Sequence, residues 1–131
     1  MSMIAELYKK GMDIRTAVLG RAHVERAKSR TTPFNEDFQN FITQYAWGSV
    51  WSRPGLERKA RSMLVLGMLA ALGRTDEFKL HVRATRNTGV TRDEIKEILL
   101  MVAVYGGVPA ANSAFHQAAE VLAEMDKETS P

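Results

Sequence analysis

Residues 57–74 read ERKARSMLVLGMLAALGR, and this stretch decides the fold class. Its first turn is polar, whereas apolar residues from Met63 onward occupy every side of the helix, as expected at the centre of a bundle. The apolar run from Met63 to Gly73 is much shorter than the roughly 20 residues that a membrane-spanning helix needs. We therefore predict a buried core helix over about 57–72 and no association with a membrane.

Signals downstream of this helix predict three more helices. Thr75 can cap the first of them, whose first turn carries two carboxylates at the positive end of the helix dipole. Thr91 and Glu94 form a capping box for the second, which continues with apolar residues at helical spacing. Glycines and a proline in residues 106–109 precede a last helix to about residue 124, and residues 126–131 are predicted to fray.

Upstream, a helix over about residues 2–18 and a shorter one before Ser29 are predicted, and Pro33 opens a third. This third helix carries one apolar face, made of Phe34, Phe38, Phe41, Ile42 and Tyr45. Residues 46–56, AWGSVWSRPGL, are predicted as a loop or short turn, because glycine and proline interrupt helicity. With no strand-like alternation anywhere, the sequence predicts one all-α domain over residues 1–131, a compact bundle of about seven helices.

Composition excludes several classes of protein. The chain has no cysteine, which removes disulfides, thiolate metal ligands and thiol redox chemistry. Its 18 basic and 15 acidic residues are interleaved, so the net charge of +3 does not indicate nucleic-acid binding. The N-terminal residues lack the pattern of an export signal, which favours a cytoplasmic protein. Two nearly all-apolar segments are more than one small bundle can bury, and we expect a homo-oligomer.

A polar stripe with the spacing R-x-x-E-x-x-x-H is formed by Arg74, Glu77 and His81. If Glu77 accepts a hydrogen bond from one ring nitrogen of His81, it orients the imidazole for proton transfer. The alternative is an ordinary surface Glu–His pair beside an arginine. A metal site is not expected, because zinc needs at least three protein ligands and only His23 and His116 remain as further histidines.

A second candidate cluster lies in the predicted loop, where Trp47, Trp51 and Arg53 combine flat apolar surface with a guanidinium. Arg53, Arg58 and Arg61 could hold carboxylates through paired hydrogen bonds. The alternatives are hydrophobic packing of the loop for the tryptophans and simple solvation for the arginines.

Almost the whole chain resembles the carboxymuconolactone decarboxylase family, in its 4-carboxymuconolactone decarboxylase branch. The likeness is carried by residues 32–74, 77–100 and 103–124, and most specifically by YAWGSVWSRPGL (45–56) and VYGGVPAANSAF (104–115). It implies an alkylhydroperoxidase D-like helical fold assembled as a homo-oligomer, a hexamer. In the thiol branch a C-x-x-C motif precedes the histidine. Arg74 and Glu77 stand in its place here, so peroxide reduction is chemically excluded.

The resemblance implies loss of carbon dioxide from 4-carboxymuconolactone, giving 3-oxoadipate enol-lactone in aromatic-acid degradation. No cofactor is implied, because the lactone itself accepts the electrons that the departing carboxylate releases. Under this hypothesis His81 donates the proton while Glu77 orients it. Arg53, Arg61 and Arg74 would bind the carboxylates or the lactone oxygen of the substrate. Trp47 and Trp51 would form the apolar wall that excludes water. Departures from the family pattern at Lys59, Thr85, Arg86 and Thr88 leave the exact lactone open.

Two alternatives stay open at this point. One is a related cofactor-free decarboxylase or isomerase that acts on another small anionic lactone or β-oxo acid. The other is a non-catalytic helical oligomer that binds a small anion, in which the stripe ending at His81 is structural. Only assays with different substrates separate the first alternative from the decarboxylase hypothesis. The second is distinguished from both by whether the three stripe side chains line a closed apolar cavity or point into bulk water.

Overall fold

The computed structural model describes residues 2–129, which form seven α-helices and one π-helix without any strand. This confirms the all-α prediction. In chain order the elements are α1 (Met3–Leu19), α2 (Arg21–Ser29), α3 (Glu36–Ile42), the π-helix (Thr43–Val50), α4 (Arg58–Leu72), α5 (Thr75–Thr88), α6 (Arg92–Tyr105) and α7 (Val108–Thr129). Within residues 2–129 no helix is both long enough and apolar enough to span a bilayer.

The chain forms two compact units, the first ending at Arg58 and the second beginning at Lys59. Unit 1 contains α1, α2, α3 and the π-helix, and unit 2 contains nearly all of α4 together with α5, α6 and α7. Each unit is described separately below. The prediction of one domain over residues 1–131 stays a prediction.

Unit 1 depends on a close backbone approach between α1 and the π-helix. A Cβ atom on Gly11 of α1 would overlap the carbonyl oxygen of Thr43 and lie 2.8 Å from the backbone nitrogen of Gly48. A Cβ atom on Gly48 would in turn overlap the carbonyl oxygen of Leu7. The two glycines therefore let the helix backbones touch, because any side chain at either position would separate them.

The prediction of a loop over residues 46–56 is wrong for its first part, because α3 continues directly into the π-helix as far as Val50. Gly48 is part of that helix and lies against α1 rather than ending the helix. The irregular segment is confined to residues 51–57, which contain Pro54 and Gly55. Packing against α1 outweighs the weak helix propensity of glycine here.

The apolar face predicted for the third helix exists, but most of it faces solvent in this chain. Phe34 is 97% exposed, and Phe38, Phe41 and Tyr45 are each more than half exposed. The rings of Phe41 and Tyr45 stack with centroids 5.4 Å apart. Helix α3 itself begins at Glu36, later than Pro33 predicted, because residues 33–35 form a turn.

Unit 2 has a continuous hydrophobic core to which all four of its helices contribute. Phe78 and Val82 of α5, Leu66 of α4 and Leu99 of α6 are almost completely buried. Small residues of α7, such as Ala114, complete the cluster and let that helix approach closely. The core position predicted for residues 57–72 is confirmed for one face of α4 and wrong for the opposite face, where Leu64, Met68 and Leu72 form an exposed stripe.

At the N-termini of α5 and α6, one prediction of helix capping is wrong and the other is correct. Thr91 and Glu94 form the expected capping box, with reciprocal side-chain to backbone hydrogen bonds of 3.1 and 2.9 Å. Thr75, in contrast, is the first helical residue of α5 rather than its cap. Arg74 occupies the N-cap position and makes no capping hydrogen bond with its side chain.

Ion pairs join α7 to the helices beside it. Arg83 of α5 contacts Glu124 and Glu128, both at 2.6 Å, and Arg92 of α6 contacts Asp126 at 2.5 Å. Because of these contacts the prediction that the chain frays from residue 126 is wrong as far as Thr129, where α7 ends. Residues 130 and 131 lie outside the described part of the chain.

We predict that Gly11→Ala destabilises the protein even though alanine normally favours a helix interior. The added methyl group overlaps the Thr43 carbonyl, and overpacking of this kind typically costs about 1–3 kcal/mol. Gly67→Ala in α4 is the matched control, because its Cβ would meet only Ile98 Cγ2, at an ordinary 3.5 Å. Urea unfolding followed by circular dichroism measures both variants. Equal stability of the two variants would contradict the proposed backbone contact.

The ion pairs around α7 predict a loss of stability in acid. Hydrogen bonds from Arg83 and Arg86 lower the pKa of Glu128, and the hydrogen bond from Arg92 lowers that of Asp126. A carboxyl group whose pKa is lower in the folded than in the unfolded state stabilises the protein above its unfolded pKa of about 4. This contribution disappears as the pH falls through the folded pKa.

Removing one cation should therefore reduce the stability difference between neutral and acidic solution. We expect Arg92→Gln to lower the urea midpoint at pH 7 and to leave it nearly unchanged at pH 2.5. Lys127→Gln serves as the control, since Lys127 is an exposed α7 cation outside these ion pairs. An equal effect of Arg92→Gln at both pH values would refute this explanation.

Candidate active site

His81 lies on the buried side of α5. It is 9% exposed, and its Nδ1 atom is withdrawn from solvent. Its neighbours along the chain, Leu80 and Val82, are half-buried and fully buried. An imidazole in this position can act on a molecule that is shielded from bulk water, which a surface histidine cannot do.

The other two residues of the predicted stripe are placed differently. Arg74 and Glu77 belong to the exposed start of α5, before the helix enters the core of unit 2. The Glu77 side chain is exposed, whereas that of His81, one helical turn further along α5, is buried. Of the three residues in the stripe, His81 is therefore enclosed by the protein, whereas Arg74 and Glu77 are exposed to water. The predicted role of Glu77 in orienting His81 stays a prediction.

A line of buried polar side chains continues from His81 along α5. Thr85 and Thr88 follow at helical spacing, and both are buried. The Thr88 hydroxyl donates a 2.9 Å hydrogen bond to Ser62 Oγ on α4, and Ser62 is completely buried. The Thr85 hydroxyl donates to the carbonyl of Val82 at 2.6 Å. This polar line fixes α5 against α4 on the side from which His81 projects.

Arg61 precedes Ser62 on α4 and is half-buried, with its Nε atom withdrawn from solvent. It is thus more enclosed than Arg74, and it has a polar contact within the protein. Arg58, at the start of the same helix, is exposed, in agreement with its interpretation as a solvated residue.

Two of the atypical residues noted in the sequence form ion pairs within unit 2. Lys59 Nζ lies 3.0 Å from Glu94 on α6, and Arg86 Nη1 lies 3.0 Å from Glu128 on α7. Thr85 and Thr88 are occupied by the hydrogen bonds given above. All four positions therefore have a structural role that accounts for their polarity.

The candidate residues of unit 1 surround the end of the π-helix. Trp47 is buried and stacks on Trp51 with ring centroids 4.7 Å apart and planes inclined by 27°. The Ser52 hydroxyl donates a 2.6 Å hydrogen bond to the Gly48 carbonyl, which fixes the chain as it leaves the helix. Arg53 is exposed one residue later. Of the predicted cluster, Trp47 therefore lies within the π-helix, whereas Trp51 and Arg53 lie in the irregular segment that follows it.

Residues able to bind a metal do not gather in the described part of the chain. Within residues 2–129 there is no group of three or more His, Asp or Glu side chains with suitable geometry. His116 is exposed on α7, and His23 is half-buried on α2 in unit 1.

The conserved sequence pattern of the carboxymuconolactone decarboxylase family matches residues 36–120, from the start of α3 into α7. The chain belongs to this family. The match includes the π-helix, both tryptophans and the histidine of α5, so every candidate residue lies inside it.

Individual relatives agree with this assignment. A 4-carboxymuconolactone decarboxylase of Acinetobacter baylyi is 52% identical over 118 residues, covering 90% of this chain and 88% of that protein. A nitrosuccinic acid decarboxylase of Metarhizium robertsii is 42% identical, covering 91% of this chain and 83% of that protein. A 4-carboxymuconolactone decarboxylase of Pseudomonas putida is 49% identical over 41 residues, covering 31% of this chain and 85% of that sequence.

Arg15 of α1 is a buried cation that none of the sequence-based predictions includes. Its guanidinium donates hydrogen bonds to Thr43 Oγ1 at 3.2 Å and to Gln39 Oε1 at 3.1 Å. Helical spacing places Gly11, Arg15 and Val18 on one face of α1, and the structure shows that all three are buried.

Proposed function

We propose that this protein catalyses the cofactor-free decarboxylation of 4-carboxymuconolactone to 3-oxoadipate enol-lactone. The observation that carries the proposal is the 52% identity, over 90% of the chain, to a protein named for that activity. The burial of His81, which the reaction requires of a proton donor in a dry site, supports it. The reaction belongs to the breakdown of aromatic acids, and we propose the cytoplasm as its location.

The chemistry asks little of the protein beyond binding, desolvation and one proton. When the carbon–carbon bond to the carboxylate breaks, its electron pair passes through the ring alkene to the lactone carbonyl oxygen, and carbon dioxide leaves. The resulting dienolate then takes a proton on a ring carbon. Because the lactone stores the electrons itself, no prosthetic group is needed. A site that excludes water favours loss of the charged carboxylate.

We assign the proton transfer to His81, with Glu77 one helical turn away on α5 as its orienting partner. Arg74 occupies the N-cap of α5, where the positive end of the helix dipole adds to its own charge. Arg61, half-buried on α4, is proposed to bind a carboxylate or the lactone oxygen, together with Arg53. The stacked Trp47 and Trp51 supply the apolar wall.

A second candidate function is decarboxylation of a different small dianion on the same scaffold. The relative named nitrosuccinic acid decarboxylase is 42% identical over 91% of this chain, which favours it specifically. A nitro group next to a carboxylate accepts the released electrons as a lactone carbonyl does. Both substrates therefore need the same three contributions from the protein, namely cation binding, desolvation and protonation.

We further propose that the protein assembles as a homo-oligomer, a hexamer by the family resemblance. Large apolar side chains remain exposed on both units of the chain alone, including Leu100, Met101, Val104 and Tyr105 at the end of α6. Exposed apolar surface of this kind marks an interaction site when it is contiguous. A second copy of the chain is the occupant that the family resemblance favours.

The test of the activity supplies freshly generated 4-carboxymuconolactone to the purified protein, before and after treatment with a chelator. We expect loss of the substrate's ultraviolet absorbance and release of one carbon dioxide per turnover, equal in both samples. Nitrosuccinate is assayed in parallel. Faster turnover of nitrosuccinate would replace the first proposal by the second, and turnover of neither compound would contradict both.

His81→Ala tests the assignment of the proton donor. General acid catalysis typically contributes roughly 10²- to 10⁴-fold, so kcat should fall by about that factor while the circular dichroism spectrum is retained. His116→Ala is the control, since His116 is an exposed histidine of the same unit. An unchanged kcat in a folded His81→Ala protein would remove His81 from the mechanism.

The assembly is tested by sedimentation of a charge substitution in the apolar end of α6. Val104 is 73% exposed in the chain alone, and we expect Val104→Glu to shift the protein to smaller species. Lys96→Glu introduces the same carboxylate at an exposed polar position of α6 and should leave the assembly intact. A monomeric wild-type protein at micromolar concentration would contradict the proposal.

A further inference from the structure

Unit 1 contains a cavity of about 260 Å³ that includes none of the candidate active-site residues. It is open to solvent on one side and is lined by α1, α2, Thr31 after the end of α2, α3 and the start of the π-helix. One water needs only roughly 10–15 Å³ of such space, so the cavity has room for a small organic molecule. Met12, Val24 and Ala27 form its apolar part.

Arg15 is the central polar group of this cavity. It is 7% exposed, and two of its five N–H groups donate to the neutral oxygens of Thr43 and Gln39. Its Nε atom is withdrawn from solvent and has no hydrogen-bond partner among residues 2–129. Within the same residues no carboxylate forms an ion pair with it.

A buried guanidinium compensated only by neutral acceptors is unfavourable, because its charge has lost the stabilisation of water. Burial accordingly lowers the pKa of Arg15. The surplus charge also reaches His23 on α2, whose pKa is lowered first by burial and then by Arg15, Arg26 and Arg30. This part of unit 1 therefore has an excess of positive charge that an anion would relieve.

The charges that line the cavity indicate what kind of anion fits. Arg15 and Lys28 are its cations and Glu36 is its one carboxylate, which leaves a formal surplus of one positive charge. A monoanion neutralises that surplus, whereas a dianion such as phosphate would be repelled by Glu36. The apolar wall favours a ligand with a short hydrocarbon part. Tyr8 and Asn40 add polar groups that can orient it.

We propose that this cavity is a second binding site, specific for a short-chain monocarboxylate whose carboxylate accepts hydrogen bonds from the Nη N–H groups of Arg15 that Thr43 and Gln39 do not use. The alkyl part of the ligand packs against Met12, Val24 and Ala27. The site is built entirely within unit 1 and does not depend on the proposed decarboxylase activity. It gives the protein a means of sensing small organic acids apart from the reaction at His81.

The test follows the side-chain Nε–Hε NMR resonance of Arg15 in the ¹⁵N-labelled full-length protein, identified by its absence from Arg15→Lys. Sodium butyrate is titrated against butyramide, its neutral isostere, and against inorganic phosphate at equal ionic strength. We expect a saturable shift of the Arg15 resonance with butyrate alone. A shift with butyramide or phosphate but not with butyrate, or no shift at all, overturns the proposal. Because the readout is local to Arg15, butyrate bound near His81 does not mimic a positive result.

Two variants measure the contributions of the charges, with calorimetry as the readout. Arg15→Gln should weaken butyrate binding at least tenfold, whereas Arg26→Gln, an exposed arginine of α2 outside the cavity, should change it less than twofold. Retained affinity in a folded Arg15→Gln protein refutes the assignment.

Glu36→Gln keeps the proposal testable if Arg15→Gln does not fold, because Glu36 is exposed at the start of α3. Removing the one carboxylate from the cavity should tighten butyrate binding several-fold. If Glu36 instead serves as the counter-ion of Arg15 at a distance, the substitution lowers the thermal stability and does not tighten binding, and the proposed site is wrong.

Discussion

The cost of removing polar groups from water governs where this chain can place its functional side chains. Buried donors and acceptors need partners, and unpaired ones cost about 1–3 kcal/mol each. Ser62 and Thr88 satisfy each other between α4 and α5. The buried polar line of α5 that begins at His81 is therefore compatible with a dense apolar core. At Arg15 the same requirement is met only in part, since its acceptors are neutral.

The two units meet this requirement with different means of stabilisation. Unit 2 has a core of large and small apolar side chains and places its charges at the rim, where arginines of α5 and α6 pair with carboxylates of α7. Unit 1 has a smaller apolar interior and relies on the glycine contact between α1 and the π-helix. Substitutions that enlarge a side chain should consequently be better tolerated in unit 2 than at Gly11 or Gly48.

Features set by short-range sequence signals were predictable, whereas features set by packing were not. The capping box at Thr91 and the apolar pattern of residues 57–72 depend on neighbours three and four positions apart, and both are found as predicted. The π-helix was missed because Gly48 is usually a helix breaker, and only its contact with Leu7 of α1 makes it favourable there. The end of α7 was missed because Asp126 and Glu128 have the composition of a polar tail. In the fold they form ion pairs with Arg92 and Arg83, which hold the end of the helix in place.

The candidate site shows the same division. The spacing from Arg74 to His81 placed these residues on one helix correctly, since helical periodicity is local. It could not tell that His81 is buried while Glu77 is exposed, because burial depends on where the helix enters the core. Arg15 was overlooked for the related reason that a single arginine among apolar residues usually reaches solvent along its aliphatic stem. Here α3 and the π-helix close over it.

The distribution of ion pairs shows which residues carry the net positive charge of the chain. Five cations of unit 2, namely Lys59, Lys79, Arg83, Arg86 and Arg92, pair with the same number of carboxylates on α6 and α7. These charges cancel, so the whole surplus of +3 belongs to the remaining charged residues. Several cations among these remaining residues are held by the fold. Arg15 and Arg61 are at least half-buried, and Arg74 lies at the start of α5. A scattered surplus of this kind suits single small anions far better than the extended phosphate backbone of a nucleic acid, which would require a continuous basic face.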